Sequence, residues 1–433
     1  MARILVASVP IPGHVGPLRR IAADLAGRGH DVTFVTGSQF ADSAEAAGLR
    51  FVALSGIADF GPERQAEVYA GRGALRPGPE QLDYDFVKVF YEPVSEQHAT
   101  LQRVLAEAPG EPTVVLTDQS FMGHWPVRLG APGIRPAAFI GIGVVPLSLN
   151  SVDTAPFGFG LPPDSSPEGR ARNAEQNSMV EGMFAHSTGV LTGILRDLGA
   201  DADTMPFPMN AIAALPDRFL ELAVEGVEYP RSDLPPGVRF VGSLPAELPG
   251  DLSLPEWWDD VLAAERVVVV TQGTTANRDL TQLIEPATRA LADLDALVVV
   301  TTGRPDATLA GLPANVRVAD HIPYAALFPH TALLVTNGGY GACLQALAHG
   351  VPLVIAGQSE DKIEVSARLA WSGAAVNLAT ETPGEGDVRT AVDTVLKDPR
   401  YRERARELQA ESARHDAFEE IAHAVEEVLH TTG

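Results

Sequence analysis

Short, wholly apolar runs alternate along this chain with longer stretches in which apolar residues return every three or four positions. RILVASV (3–9) has the length and composition of one buried strand. PLRRIAADLAGRG follows, with Pro17 at a helix start and Leu18, Ile21, Ala22 and Leu25 on one face, before Gly29 stops it. DVTFVT (31–36), FVAL (51–54) and TVVLTD (113–118) continue the strand series, the last ending in an acid. The middle, roughly 145–215, is poor in strand signals and rich in Pro, Gly, Asn and Met, and PFGFGLPPDSSPEG within it reads as loop. A second series opens at RVVVVTQGTT (266–275). Leu280, Leu283, Ile284, Ala287 and Leu291 then fall at helical spacing, and ALVVVTTG, NVRVAD, ALLVT, VPLVIA and AAVNL supply further strands. The tail from Val388 is helical and charged on one side. Strands alternating with helices predict a parallel α/β sheet in each half, with ligands gathering at the carboxyl ends of the strands.

At 433 residues the chain exceeds one ordinary core. The pattern divides it into an N-terminal domain over 1–225, a C-terminal domain over 226–400 and terminal helices over 401–433 that pack back on the N-terminal domain. A Pro-rich passage at 228–258 reads as the linker. A formal net charge of −24 argues against nucleic acid or an anionic membrane surface as partner, since both require clustered Lys and Arg. The single cysteine, Cys343, excludes an intramolecular disulfide framework and a Cys-rich metal site, and its place on the inner side of a helix predicts core packing. The N-terminus is too short and Pro-broken to be a signal peptide, and no apolar stretch reaches the ~18–20 residues of a spanning helix. A cytoplasmic protein with no membrane span, monomeric or homodimeric, is expected.

The segment 321–373 carries the most chemistry. ALLVT (332–336) stops at Asn337, Gly338 and Gly339, and a helix follows at once with Leu344, Leu347 and Ala348 on one face, ending at Gly350. VPLVIA (351–356) is a second strand, after which Asp361 and Lys362 open another helix. Glycines at a strand-to-helix junction let a ligand approach the backbone, and the free N–H groups of the helix start suit an anion such as a pyrophosphate. Taken alone, a Gly-Gly pair before a helix is equally a tight turn.

With His321-Ile322-Pro323-Tyr324, Asn337-Gly338-Gly339, Gln345, Gly350-Val351-Pro352 and Asp361-Lys362 in order, the segment resembles the nucleotide-sugar signature of the family 1 glycosyltransferases. The likeness is greatest to the bacterial natural-product, macrolide-type enzymes. That resemblance implies the GT-B arrangement, α/β with two Rossmann-like domains facing across a cleft. It also implies donor contacts from Gly273, Thr274, Thr275, His321, Ile322, Asn337, Gly338, Gly339, Gly341, Gln345, Asp361 and Lys362. Several polar positions depart from the family's pattern. Asn337 stands for a phosphate-binding histidine, Gln345 for a ribose-binding glutamate, His321 for a base-stacking tryptophan, and Lys362 for a glutamine that bonds donor-sugar hydroxyls. These changes leave UDP- and dTDP-linked sugars both open, with UDP-glucose preferred.

PGHVGP (12–17) resembles the family's GH-x-x-P loop, whose histidine deprotonates the acceptor hydroxyl. TDQSF (117–121) resembles the element whose Asp orients that histidine, so the resemblance implies catalytic roles for His14 and Asp118, a triad without its serine. Read without the family, His14 is a solvated or capping residue in a turn, and Asp118 a helix N-cap. The implied reaction is an inverting transfer of a hexose from a nucleoside-diphosphate sugar to a small hydrophobic acceptor such as a macrolide, polyketide or flavonoid. No cofactor and no obligatory metal are expected, since no Asp-x-Asp motif stands out. Two other readings fit the fold: a nucleotide-sugar epimerase, and a donor-binding protein that has lost catalysis. A NAD-dependent dehydrogenase is disfavoured because no G-x-G-x-x-G opens the first helix. Phe86, Phe90, Phe121, Met122, Met179 and Phe184 are candidates to line an apolar acceptor pocket, with core packing the alternative for each.

Overall fold

The computed structural model describes residues 1–76, 78–248, 253–274 and 277–431. The strands run β1 (Arg3–Ala7), β2 (Asp31–Thr36), β3 (Arg50–Ala53), β4 (Thr113–Asp118), β5 (Ala138–Gly143), β6 (Arg218–Glu221) and β7 (Val238–Phe240) in the first half. The second half holds β8 (Val267–Thr271), β9 (Leu297–Thr301), β10 (Val316–Ala319), β11 (Thr331–Thr336), β12 (Leu353–Ile355) and β13 (Ala375–Asn377). They form two separate sheets, seven-stranded in the order β3-β2-β1-β4-β5-β6-β7 and six-stranded in the order β10-β9-β8-β11-β12-β13. Every pairing in both is parallel. Helices cover both faces, which is why β1, β4 and β8 are apolar runs with all positions buried rather than alternating ones. The fold class is α/β, two doubly wound sheets.

In each sheet the strand order reverses beside the first strand. The connections leaving β1 and β4, and those leaving β8 and β11, depart in opposite directions and open a crevice at the carboxyl ends. The catalytic candidates and the glycine-rich loop lie at these two crevices.

Two boundaries differ from the sequence expectation. The first helix is Pro12–Gly27, opening at Pro12 with Pro17 inside it. Pro17 is the sixth residue of that helix, past the first four whose N–H groups have no intrahelical partner, so its missing N–H leaves the Gly13 carbonyl without a helical donor. The passage expected as linker contains β7, which pairs with β6 and adds the last strand to the N-terminal sheet, so that domain extends beyond residue 225. A three-residue strand among prolines carries too little apolar pattern to be seen in the sequence. Of the terminal helices, Ala417–Thr431 sends Ile421, Val425 and Val428 into the N-terminal core beside Leu18 and Ile21. Pro399–Ser412 instead places Ala405 and Leu408 in the C-terminal core with Cys343 and Leu347. Among the described residues no helix is long and apolar enough to cross a membrane.

Candidate functional site

β1 and β4 are adjacent, with Ala7 opposite Thr117, so the chain leaving β1 passes the end of β4. Asp118, the last residue of β4, is fully buried. Its Oδ2 accepts the backbone N–H of Val9 at 2.7 Å and its Oδ1 that of Ser120 at 2.8 Å. Oδ1 also lies 2.8 Å from Nδ1 of His14, in the first turn of the Pro12 helix. A carboxylate held by two backbone donors can only accept from the ring, so the neutral imidazole carries its proton on Nδ1. Nε2 is left as the basic nitrogen. Asp118 caps no helix; its three bonds go to Val9, Ser120 and His14. The sequence alternatives for these two residues are thereby replaced by a paired arrangement able to take up one proton.

Asp361 faces this pair from the C-terminal domain. Burial pushes its carboxyl above the ordinary range, against the pull of Lys362, and His14 is near enough to act on it electrostatically. Asp85 of the N-terminal domain is likewise raised by burial, against its 2.8 Å ion pair with Arg72, and it feels Glu360.

At the second crevice β11 ends in Asn337, Gly338 and Gly339, and the helix Tyr340–Ala348 begins directly. Gly338 has φ +89°, a left-handed conformation that admits glycine readily. At Gly339 and Gly341 an added Cβ would meet nothing, so open space lies over the helix start. Gly357, after β12, is required for another reason: a Cβ there would come within 2.0 Å of the Asn337 carbonyl oxygen. A pocket at these strand ends is lined by Gln272, Asn337, Gly357, Ser359, Lys362 and Glu381, among others. Asn337 spends one of its two amide N–H donors on the Gln272 carbonyl at 2.7 Å, which ties β8 to β11. Gln272 in turn caps the start of helix Ile284–Ala290, accepting from Ile284 N at 3.0 Å.

The remaining expected residues divide. Gly273 (φ +67°) and the exposed Thr274 follow β8 at the same crevice, while Thr275 lies outside the described residues. His321 is exposed, whereas the side chain of Ile322 is buried in the C-terminal core, leaving only its backbone for a ligand. Gln345 is half-buried on the Tyr340 helix. Phe86, Phe90 and Phe184 are half-buried and touch, with Phe86 edge-on to Phe184 at 5.1 Å and 6.3 Å from Phe90. Phe86 and Phe90 lie in a π-helical turn, Phe86–Tyr91, a departure from regular helix that recurs at functional sites. Met179 is exposed on helix Pro167–Met183. Phe121 and Met122 are corrected: both are buried in N-terminal cores, where they fill space between helices and sheet and present no surface to an acceptor.

A third group escaped the sequence reading because it spans the two domains. Tyr340 Oη donates to Glu221 Oε1, at the end of β6, at 3.1 Å. On helix Lys362–Trp371, Glu364 accepts the backbone N–H groups of Gly158 (2.7 Å) and Gly160 (2.8 Å) through Oε1, and its Oε2 pairs with Arg368. Arg368 reaches Glu228 at 2.7 Å and the Leu147 carbonyl at 3.0 Å, and stacks over Tyr229 at 4.5 Å. Glu228 also holds Arg231 at 3.0 Å. Spaced i, i+4, Glu364 and Arg368 read in the sequence as an ordinary surface pair. The one available signal was RFLE (218–221), an apolar strand ending in an acid as TVVLTD does.

The chain is similar to known proteins along nearly its whole length. Residues 285–428 match the erythromycin biosynthesis protein CIII-like C-terminal domain. A UDP-glycosyltransferase 2 of Phaeomoniella chlamydospora is 45% identical over 98% of this chain and 95% of its own length. The 4'-demethylrebeccamycin synthase of Lentzea aerocolonigenes is 40% identical over 98% and 99%. Among solved structures the glycotransferase of kitacinnamycin superposes with a TM-score of 0.73 at 23% identity, over 99% of this chain and 100% of that one, a likeness of fold. With its two facing parallel sheets, this chain belongs to the family 1 glycosyltransferases of the GT-B fold, in their natural-product branch, and is a glycosyltransferase.

Proposed function

We propose that the protein transfers a hexose, with inversion, from a nucleoside-diphosphate sugar to a hydroxyl of a small hydrophobic acceptor. UDP-glucose is the preferred donor and a macrolide, polyketide or flavonoid the acceptor type. The observation that carries this reading is the His14–Asp118 pair, with Nδ1 engaged at 2.8 Å and Nε2 free to act as base. Nε2 takes the acceptor proton while the acceptor oxygen attacks the anomeric carbon, and Asp118 stabilises the imidazolium that results. The donor is held by Gly273, Thr274, Gly338, Gly339, Gly341, Gln345, Asp361 and Lys362, with its base near His321. The diphosphate departs over the start of the Tyr340 helix, whose unpaired N–H groups and dipole favour negative charge. Phe86, Phe90, Phe184 and Met179 face the acceptor.

The names of the relatives support the donor class, since one is a UDP-glycosyltransferase and another a UDP-glucosyltransferase A1 of Starmerella bombicola, 36% identical over 98% of this chain. The test is incubation with UDP-glucose and dTDP-sugars against a panel of hydroxylated aglycones, reading product masses and anomeric configuration. A product of retained configuration, or none with any donor, removes the reading. Because backbone donors meet the leaving diphosphate, we also propose that no metal is obligatory. EDTA leaves the rate largely unchanged on this account, and a complete loss restored by Mg²⁺ contradicts it.

A further inference from the structure

The pocket at the ends of β8, β11 and β12 is lined by amide, hydroxyl and glycine groups, the apolar Leu283 and Ala356, one carboxylate (Glu381) and a single cation, Lys362. Lys362 opens its helix immediately after Asp361, and it is only 7% exposed although lysine ordinarily reaches water. Its stem is boxed between two glycines. Cδ lies 3.1 Å from where a Cβ of Gly357 would be, and Cβ lies 3.7 Å from that of Gly338. The side chain so held lines the pocket beside the loop that ends at Gly339. Its carboxylate partner is Glu360, whose own side chain is 62% exposed and whose backbone is held at φ +56°, an uncommon conformation for a residue with a Cβ. Lys362 is thus fixed in place, while the anion paired with it hangs from a strained, solvent-facing turn.

We propose that Lys362 is the cation that binds the diphosphate of the donor and takes up the charge developing on it as it leaves, exchanging Glu360 for phosphate oxygens when the donor enters. The inference rests on the donor reading above and goes beyond it by giving Lys362 the leaving group rather than the sugar hydroxyls. In the transfer, the bond between the anomeric carbon and the β-phosphate oxygen breaks and its electron pair stays on that oxygen. The acceptor oxygen forms the new bond and its proton goes to Nε2 of His14. Lys362 stays protonated throughout, donating to the β-phosphate oxygens. Asn337 is neutral and already bonded to Gln272, so among the pocket-lining residues only Lys362 brings positive charge to the diphosphate.

Calorimetry with UDP and UMP, and with dTDP and dTMP in parallel, separates the two roles. Lys362→Gln should weaken the diphosphate by about 10- to 100-fold, the scale of a charged hydrogen bond, and the monophosphate far less. Lys362→Arg should keep the preference for the diphosphate. Glu360→Gln should tighten the diphosphate several-fold by releasing the ammonium, an effect opposite in sign to any loss of folding. Equal losses for diphosphate and monophosphate in Lys362→Gln overturn the proposal, as does a loss confined to UDP-glucose with UDP unaffected. A wild type that binds neither nucleotide removes the donor reading and this proposal together, whereas an intact diphosphate preference in Lys362→Gln removes this proposal alone.

Discussion

The hydroxyl of Tyr340, in the first turn of the glycine-loop helix, donates across the domain boundary to Oε1 of Glu221 at 3.1 Å. Glu221 is fully buried, its other oxygen has no hydrogen-bond partner among the described residues, and that oxygen fills the space where a Cβ of Gly143 would stand. Burial first, and the carboxylate of Glu228 second, push its pKa up to about 8. The start of the candidate donor helix is therefore anchored to an acid that holds its proton at neutral pH.

The pH dependence follows from linkage. An unfolded glutamate releases its proton near pH 4.5, whereas Glu221 in the fold keeps it to about 8. Between these values the native state binds more protons than the unfolded one, so this residue's contribution to stability falls as pH rises from ~4.5 to ~8 and stays lost above. Glu221→Gln removes the titration while keeping size. Its Tm relative to wild type should rise across that window, in keeping with the ~1.4 kcal/mol that each pH unit between the two pKa values represents. Parallel Tm curves for the two proteins between pH 5 and 8.5 would show that Glu221 is not protonated in the fold.

Arg368 makes a second prediction. Its guanidinium and the carboxylates of Glu228 and Glu364 are almost wholly excluded from water and satisfy one another. The arginines Arg368 and Arg231 hold Glu228 ionised in spite of its burial. Arg368→Met keeps the volume but leaves two buried acids short of a cation, which costs ~3–5 kcal/mol. Chemical denaturation should show this loss, and adding Glu364→Gln should recover part of it. A single-variant change within ~0.5 kcal/mol would mean that the network is hydrated and worth no more than a surface pair.

Much of this architecture was legible in the sequence, and the omissions have physical causes. Buried parallel strands announce themselves, since RILVA, TVVLTD and VVVVT are apolar on both faces. His14 and Asp118 were found through short motifs at strand ends, places where the topology of an α/β sheet brings distant loops together. Beyond the strand-end acid of RFLE, the interdomain network left little local trace: Tyr340, Glu221, Glu228, Glu364 and Arg368 acquire their roles only once the two sheets face each other. Phe121 and Met122 failed for the opposite reason. A hydrophobic residue close in sequence to Asp118 has the same composition signal whether it turns inward to the core or outward to a ligand.

A third prediction concerns the base. His14→Ala should lower turnover by ~10²-fold or more, the usual scale for loss of a general base, with nucleotide affinity retained. Asp118→Asn tests the orienting role separately. Val9 and Ser120 donate to different oxygens of Asp118, so an amide can serve only one of them; with its oxygen kept on Val9 N–H it turns NH₂ to the ring, and Nδ1 must then accept while Nε2 carries the proton, the wrong tautomer for a base. Its kcat should therefore fall nearly as far as that of His14→Ala, and the double variant should add little to either. Independent, multiplying losses would show that the two residues do not act as one unit.

The last prediction addresses the ribose. Gln345 lies on the Tyr340 helix, about one and a half turns beyond the open start at Gly339, and is half-buried. A neutral amide there can bond a ribose hydroxyl, but without the charge-assisted strength of a carboxylate. Discrimination between UDP and dTDP donors, which differ at the ribose 2′-hydroxyl, should then be weak, and the wild type should use both linked forms of its sugar. Gln345→Glu should shift the ratio of kcat/KM towards the UDP form by up to ~1–2 kcal/mol, the difference between a neutral and a charged hydrogen bond. The measurement is that ratio in wild type and variant with the same sugar on both nucleotides. An unchanged ratio would assign the choice of nucleotide to the base end of the pocket, around His321, where an exposed imidazole has the freedom to meet either uracil or thymine.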